Sequence, residues 1–289
     1  MNSEKSVTKL SQLKNLKVAV VQMTSEPDVE QNLRAIAAVL NQIGDHHGSV
    51  DLVCFPENCF FMRGCDQDEI PEFEAKSGLW LLAAKWARDL GAFLHFGSVP
   101  WREEAGLFNA SVVLGPEDSH PRVSYKKIHL FDASLEVERP YRESLLFSPG
   151  QGPNVLEVGG WVLGQSICYD LRFPELYLHY RSLQVPAILL PSAFTVPTGL
   201  AHWHTLVRAR AIETQSYVVA AAQCGEHKSR GHVSRRTFGH SLVVDPWGEV
   251  VWDGGEQPNF TVIELNPEIV RRVRQQMPIR EHCRLALNH

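Results

Sequence analysis

Three side chains of different chemistry each stand at the end of a short apolar run in this chain. Cys168 lies in Ser166-Ile167-Cys168-Tyr169-Asp170-Leu171-Arg172-Phe173-Pro174-Glu175, Glu57 in Asp51-Leu52-Val53-Cys54-Phe55-Pro56-Glu57-Asn58, and a lysine pair in Tyr125-Lys126-Lys127-Ile128-His129-Leu130-Phe131-Asp132. A thiol, a carboxylate and an ammonium are the parts of an acyl-transfer site: nucleophile, general base and cationic partner for an oxyanion. A free cysteine on its own is more often inert packing, and a lone Glu or Lys is more often a solvated surface charge. The three occurring together at strand ends point to chemistry. Lys126 and Lys127 point to opposite sides of an extended segment, so one of them faces the site.

The elements that must position these groups follow from periodicity. Residues 161–167 read as a buried strand that stops at Cys168, and Pro174 suits the first turn of a helix beginning near Phe173. A cysteine at that junction has backbone N–H groups close to its sulfur. Residues 16–23 read as a first strand, followed by a helix capped by Asp28 whose apolar positions Val29, Leu33, Ile36, Leu40 and Ile43 share one face. The strand before Glu57 closes a βαβ unit. A helix through residues 79–86, a strand over 92–99, a strand pair over 109–114 and 122–125, and strands over 187–190, 217–222 and 260–265 complete the pattern. A hairpin turns at Asp245-Pro246-Trp247-Gly248, a helix spans 201–213, and a last helix starts at Pro267. Residues 191–200 carry two prolines and a glycine and read as an irregular loop. Helices interleave with short strands throughout, which predicts α/β sheets covered by helices.

Composition narrows the function classes. The chain has 289 residues, 44% apolar and 21% charged, with a formal net charge of −5. It has no basic excess for nucleic acid, and no apolar run approaches the ~18 residues of a membrane helix. The first fifteen residues lack arginine and an apolar segment, so neither a secretory signal nor a transit peptide is expected. Six cysteines without a CxxC pair suggest a reducing cytoplasm, and Cys54, Cys59 and Cys65 fit no zinc spacing. No nucleotide-binding glycine motif appears, so no cofactor is expected. A serine-hydrolase reading of Gly164-Gln165-Ser166-Ile167-Cys168 fails because Cys168 replaces the last glycine of the nucleophile-elbow motif. His202 with His204, or His46 with His47, lack the spacing that aligns two imidazoles on one helix face, so no metal is expected.

In order and separation, the three segments resemble the nitrilase superfamily of carbon–nitrogen hydrolases, over a single domain spanning 16–279, with a polar arm at 1–15 and a tail at 280–289. The resemblance implies a four-layer α-β-β-α sandwich. It makes Glu57 the base, Lys127 rather than Lys126 the catalytic lysine, and Cys168 the nucleophile. Glu143, in Tyr141-Arg142-Glu143-Ser144-Leu145, matches the additional glutamate of many members. The Tyr169 N–H is the expected second oxyanion donor. A homodimer or larger homo-oligomer is implied, built through helices after the nucleophile and the C-terminal segment.

Within that superfamily, Pro191-Ser192-Ala193-Phe194-Thr195, Thr198-Gly199-Leu200-Ala201-His202-Trp203, Arg208-Ala209-Arg210-Ala211-Ile212-Glu213 and Ala220-Ala221-Ala222-Gln223-Cys224-Gly225 look like the deaminated-glutathione amidase branch. Ser192, Thr195, Glu213 and Gln223 separate it from the related ω-amidases, which act on α-ketoglutaramate. The resemblance implies a small amide substrate cleaved to 2-oxoglutarate and cysteinylglycine, with Arg172 expected at the α-keto carboxylate and Thr195 as a second substrate contact. The chain departs from the branch at its end, where Arg280-Glu281-His282-Cys283-Arg284-Leu285-Ala286-Leu287-Asn288-His289 replaces a basic stretch followed by Asp-Leu-Tyr.

Overall fold

Strand side chains alternate between two faces, and here both faces are apolar. In the strand Leu16–Gln22, Leu16, Val18 and Val20 join one buried cluster while Ala19 and Val21 join another. In the strand Ala187–Leu189, Ala187 and Leu189 likewise separate from Ile188. A strand buried on both sides needs a layer on each, which is what the computed structural model contains; it describes residues 10–66, 68–134, 141–228 and 235–285. Most of the expected N-terminal arm and the last four residues of the expected tail lie outside these.

Two six-stranded sheets form the centre. The first runs Asn259–Leu265, Leu16–Gln22, Leu52–Cys54, Phe93–Glu103, Gly106–Leu114, Arg122–Lys126. The second runs Val250–Asp253, Leu242–Val244, Tyr217–Ala220, Ala187–Leu189, Trp161–Gln165, Val155–Val158. Central neighbours are parallel and the outer ones antiparallel. Val18, Val20, Leu52 and Cys54 of one sheet pack on Leu163, Ala187, Leu189 and Val219 of the other. The helices Val29–His47 and Leu79–Leu90 cover the outer face of the first sheet with Ile36, Leu40, Ile43, Trp80 and Ala83. Pro174–Ser182 and His204–Thr214 cover the second with Leu176, Tyr177, Tyr180, Val207 and Ala211. The result is the expected α-β-β-α order. The Asp28 carboxylate caps the first helix by accepting from Gln31 N at 3.0 Å.

Three local features differ from the sequence expectation. The strand Val155–Val158 was not expected; it pairs with Trp161–Gln165 across Gly159 and Gly160, both at positive φ (56° and 85°), the backbone of a two-residue hairpin. The two-stranded ribbon Cys224–His227 with Arg235–Phe238 was also unexpected. Within 191–200, the expected loop, Val196–Thr198 is helical and leads through a π-helical turn, Gly199–Trp203, into His204–Thr214. Pro197 lies in the first turn, where it needs no N–H partner, so it starts a helix here instead of breaking one. The π-turn packs closely: a Cβ on Gly199 would lie 2.1 Å from the Phe238 ring.

One glycine governs how closely the sheets' functional ends approach. A Cβ at Gly97 would stand 2.0 Å from Phe55 O and 2.3 Å from Pro191 Cβ, both immovable without shifting backbone. Phe55 and Pro56 lead to Glu57, and Pro191 O accepts from Cys168 N at 2.9 Å. Gly97→Ala should therefore destabilise the protein by about 1–3 kcal/mol in urea unfolding and cut turnover by displacing the Glu57 segment. Unchanged stability and activity would show that the contact is soft.

His95 lies between the sheets, 1% exposed, beside the Gln165 side chain. Burial depresses its pKa from 6.5 to about 4. As pH falls the unfolded chain binds this proton first, so stability drops between pH 6.5 and 4. The difference in unfolding free energy between the wild type and His95→Leu should shift against the wild type by roughly 3 kcal/mol over that window; a pH-independent difference would clear His95 of this role.

Candidate active site

Three strands, two from the first sheet and one from the second, deliver the three groups. Leu52–Cys54 leads to Glu57, Arg122–Lys126 to Lys127, and Trp161–Gln165 to Cys168. Lys127 Nζ donates to Glu57 Oε1 at 2.9 Å and to both oxygens of Glu143, at 2.8 and 3.1 Å. Asn109 Nδ2 ties the two carboxylates together, at 3.0 Å from Glu57 Oε1 and 2.8 Å from Glu143 Oε1. Phe131 N–H donates to Glu143 Oε2 at 2.6 Å. Lys126 turns away, as alternation requires: its Nζ bonds Glu103 at 2.6 Å and sits 4.2 Å from the Phe108 ring centre.

Burial makes this cluster electrostatically stiff, with Glu57 and Lys127 only 3% and 2% exposed. Burial disfavours the ammonium, but the charges of Glu143 and Glu57 outweigh it and hold the Lys127 pKa well above the ordinary lysine value. The Cys168 thiol is raised well above its ordinary value by burial and by the Glu57 charge, with Lys127 opposing, and it hydrogen-bonds with Glu57. The thiol is therefore protonated at rest, and a base must remove its proton during attack. Cys54 and Cys59 are also raised by burial, and they belong to opposite faces of the first sheet as packing groups.

Asp170 fixes the turn that carries the thiol. Its buried carboxylate accepts from Ile167 N at 2.9 Å, Tyr125 Oη at 2.7 Å and His129 N at 3.0 Å, and His129 Nδ1 lies 2.7 Å away. Cys168 sits at φ 49°, in the left-handed region that costs a non-glycine residue about 1 kcal/mol or more. Cys168 N donates to Pro191 O and Asp170 N to Ile167 O, and the Tyr169 N–H lies between these two in the chain at the start of the turn. The strained elbow was not expected, because the residue pattern lacked its usual glycine.

The three groups line a cavity of about 390 Å³ that also exposes Glu143, Asn109 and Thr195. Arg172 is absent from its lining. Its guanidinium lies 5.8 and 5.4 Å from the ring centres of Tyr169 and Phe194, with Nη1 3.3 Å from His202 Nδ1. The cavity's arginines are instead Arg63, Arg142 and Arg235, which the sequence did not single out. They lie in segments of unrelated pattern, so spacing gave no signal. Asn109 was missed for the same reason. Gln223, noted only as a branch marker, holds the Glu57 carbonyl through Nε2 at 2.9 Å and accepts from Ser25 N at 2.9 Å. Glu213, another such marker, pairs with Arg210 at 2.8 Å while Arg210 Nε holds Leu171 O at 2.9 Å.

Outside the cavity, His204, His240 and Asp253 bring one ligand-capable atom each within 4.8 Å of one another. Their polar atoms already satisfy each other, His204 Nε2 and His240 Nδ1 lying 3.0 and 2.9 Å from the Asp253 carboxylate. This group takes no part in the cluster around Cys168.

Comparison with known proteins agrees with this geometry. Residues 17–275 match the carbon–nitrogen hydrolase family. A deaminated glutathione amidase of Yersinia enterocolitica is 33% identical over 278 residues, covering 95% of both chains. One of Bos taurus is 36% identical over 282 residues, covering 92% of this chain and 81% of the relative. The crystal structure of a Saccharomyces cerevisiae member of branch 10 of the nitrilase superfamily, 28% identical, superposes with a TM-score of 0.82 over 98% of this chain and all of that one. The chain belongs to the carbon–nitrogen hydrolase family and is a hydrolase of carbon–nitrogen bonds.

Proposed function

We propose that the protein is a thiol-dependent amidase that cleaves deaminated glutathione, a carboxylate-bearing amide, to 2-oxoglutarate and cysteinylglycine. The observation that carries the amidase chemistry is the contact set of Lys127, Glu57 and Glu143 around the Cys168 thiol. The substrate rests on the names of the relatives and on the positions of Ser192, Thr195, Glu213 and Gln223.

Glu57 takes the thiol proton as Cys168 Sγ attacks the amide carbon. The carbonyl oxygen gains the negative charge, and Lys127 Nζ and the Tyr169 N–H stabilise it. The tetrahedral adduct collapses, the C–N bond breaks, and the leaving amine departs with the proton from Glu57. A thioester remains on Cys168. Glu57 then takes a proton from water as it attacks the thioester, the carboxylic acid is released, and the thiol is restored. Glu143 acts as a positioning residue: Lys127, Asn109 and Phe131 N occupy its oxygens, so it anchors the ammonium. Thr195 contacts the substrate from the cavity wall, and Arg172 reaches it only by leaving its place on the Tyr169 and Phe194 rings.

The enzyme works in the cytoplasm without a cofactor, its cysteines being free among the described residues. Its homo-oligomer forms through helices after the nucleophile, where Leu200 and Ile212 stand exposed, and through the C-terminal segment, where Met277 does. No helix among the described residues is long and apolar enough to cross a membrane.

Three measurements test the reading. Cys168→Ala should abolish turnover with the fold intact by circular dichroism. Glu57→Gln should lower kcat by roughly 10²–10⁴; appreciable activity in either would refute its role. Across deaminated glutathione, α-ketoglutaramate, an N-carbamoyl amino acid and a simple nitrile, kcat/KM should be highest for deaminated glutathione. Preference for α-ketoglutaramate would make the enzyme an ω-amidase.

A further inference from the structure

The cavity's charges divide into two groups. Glu57, Glu143 and Lys127 form the catalytic cluster, which carries one negative charge in excess while the thiol is protonated. The remaining charged lining residues are Arg63, Arg142, Arg235 and Asp66, three guanidiniums against one carboxylate. Asp66 is a poor neutraliser because its side chain is 73% exposed, whereas those of Arg63 and Arg235 are only 15% and 26% exposed. Two half-desolvated cations therefore face the cavity with one screened anion between them.

The hydrogen bonding at Arg63 is incomplete in a specific way. A guanidinium binds a carboxylate side-on through Nε and Nη2. Arg102 does so with Glu72 and Arg271 with Glu268. Arg63 Nη2 donates to the Asp66 backbone oxygen, with the Asp66 carboxylate 3.9 Å away, while Nε is buried and has no acceptor among the described residues. Arg235 pairs with the same Asp66 carboxylate and lies over the Tyr141 ring at 5.5 Å, which fixes its direction. Burial and the nearby Arg235 charge lower the Arg63 pKa, while Asp66, Asp68 and Cys65 oppose the shift without cancelling it.

We propose that Arg63 and Arg235 form the seat for a substrate carboxylate remote from the amide being cleaved. The inference rests on the reading of the chain as an amidase of carboxylate-bearing amides and assigns the recognition to residues 172 positions apart, 63 and 235, brought together by the Glu57 segment and the Arg235–Phe238 ribbon. The same guanidinium chemistry suits a carboxylate on the acyl side or on the leaving amine. Neither arginine touches the reacting atoms, so both act on substrate binding and orientation.

The test compares three amides: α-ketoglutaramate, charged on the acyl side; N-butyryl-cysteinylglycine, charged on the leaving side; and neutral butyramide. In Arg63→Met and Arg235→Gln, the ratio of kcat/KM for one charged amide to that for butyramide should fall about ten- to a hundredfold, chiefly through KM, with partial rescue by Arg235→Lys. The amide affected identifies the carboxylate held. Equal losses on all three amides, or none, would overturn the proposal. Should Arg63→Met fail to fold, Arg235→Gln and the unsubstituted enzyme still decide: the latter should favour a charged amide over butyramide by about tenfold or more, and parity would overturn the seat. Failure to hydrolyse deaminated glutathione while the smaller amides are cleaved would sink the substrate assignment alone, leaving these ratios readable.

Discussion

The buried ammonium of Lys127 is the constraint around which the active end is organised. At 2% exposure it is tolerable only with the buried Glu57 and the partly buried Glu143 both within hydrogen-bond distance, and each of those carboxylates depends in turn on Lys127 and Asn109. Removing one partner of such a cluster strands the others, a loss on the order of 3–5 kcal/mol. The cluster therefore does two jobs with one set of contacts. It locks the ends of two strands of the first sheet together, and it holds a cation at the wall of the cavity that Cys168 also lines.

The second sheet supplies the Cys168 thiol under separate control. Asp170 collects donors from Ile167, Tyr125 and His129, so the elbow is pinned by residues of both sheets and the Cys168 φ of 49° is imposed from outside. Such strain is kept where the surroundings over-determine it. Gly97 allows the two halves to meet, because Phe55 O and Pro191 leave no room for a side chain between them. Burial and the Glu57 charge raise the Cys168 thiol pKa well above its ordinary value, with Lys127 opposing.

How each group is read depends on how local its cause is. The Asp28 cap, the apolar helix faces and the existence of the strands follow from neighbours in sequence and emerged as expected, while some strand ends shifted, as in Phe93–Glu103, which runs four residues past its expected end. The hairpin at Gly159 and Gly160 had its signal in those two glycines. The helical turn after Thr195 did not: Pro197 and Gly199 usually interrupt a helix, and only packing against Phe238 makes the π-turn there specific. Asn109 looks like any strand polar residue until the fold places its amide between two carboxylates.

By itself the sequence singled out Glu57, Lys127 and Cys168 as candidate reacting groups, because each follows an apolar run whose period sets a strand end, and their order resembles a known superfamily. It also set the choice between Lys126 and Lys127 to one side of a strand, since alternation is a local property. Tertiary structure alone decided what surrounds those groups. Arg63 and Arg235 line the cavity while Arg172 does not, and Glu143 holds Lys127, because these outcomes depend on which distant segments two packed sheets bring within a few ångströms, a relation that no local spacing encodes.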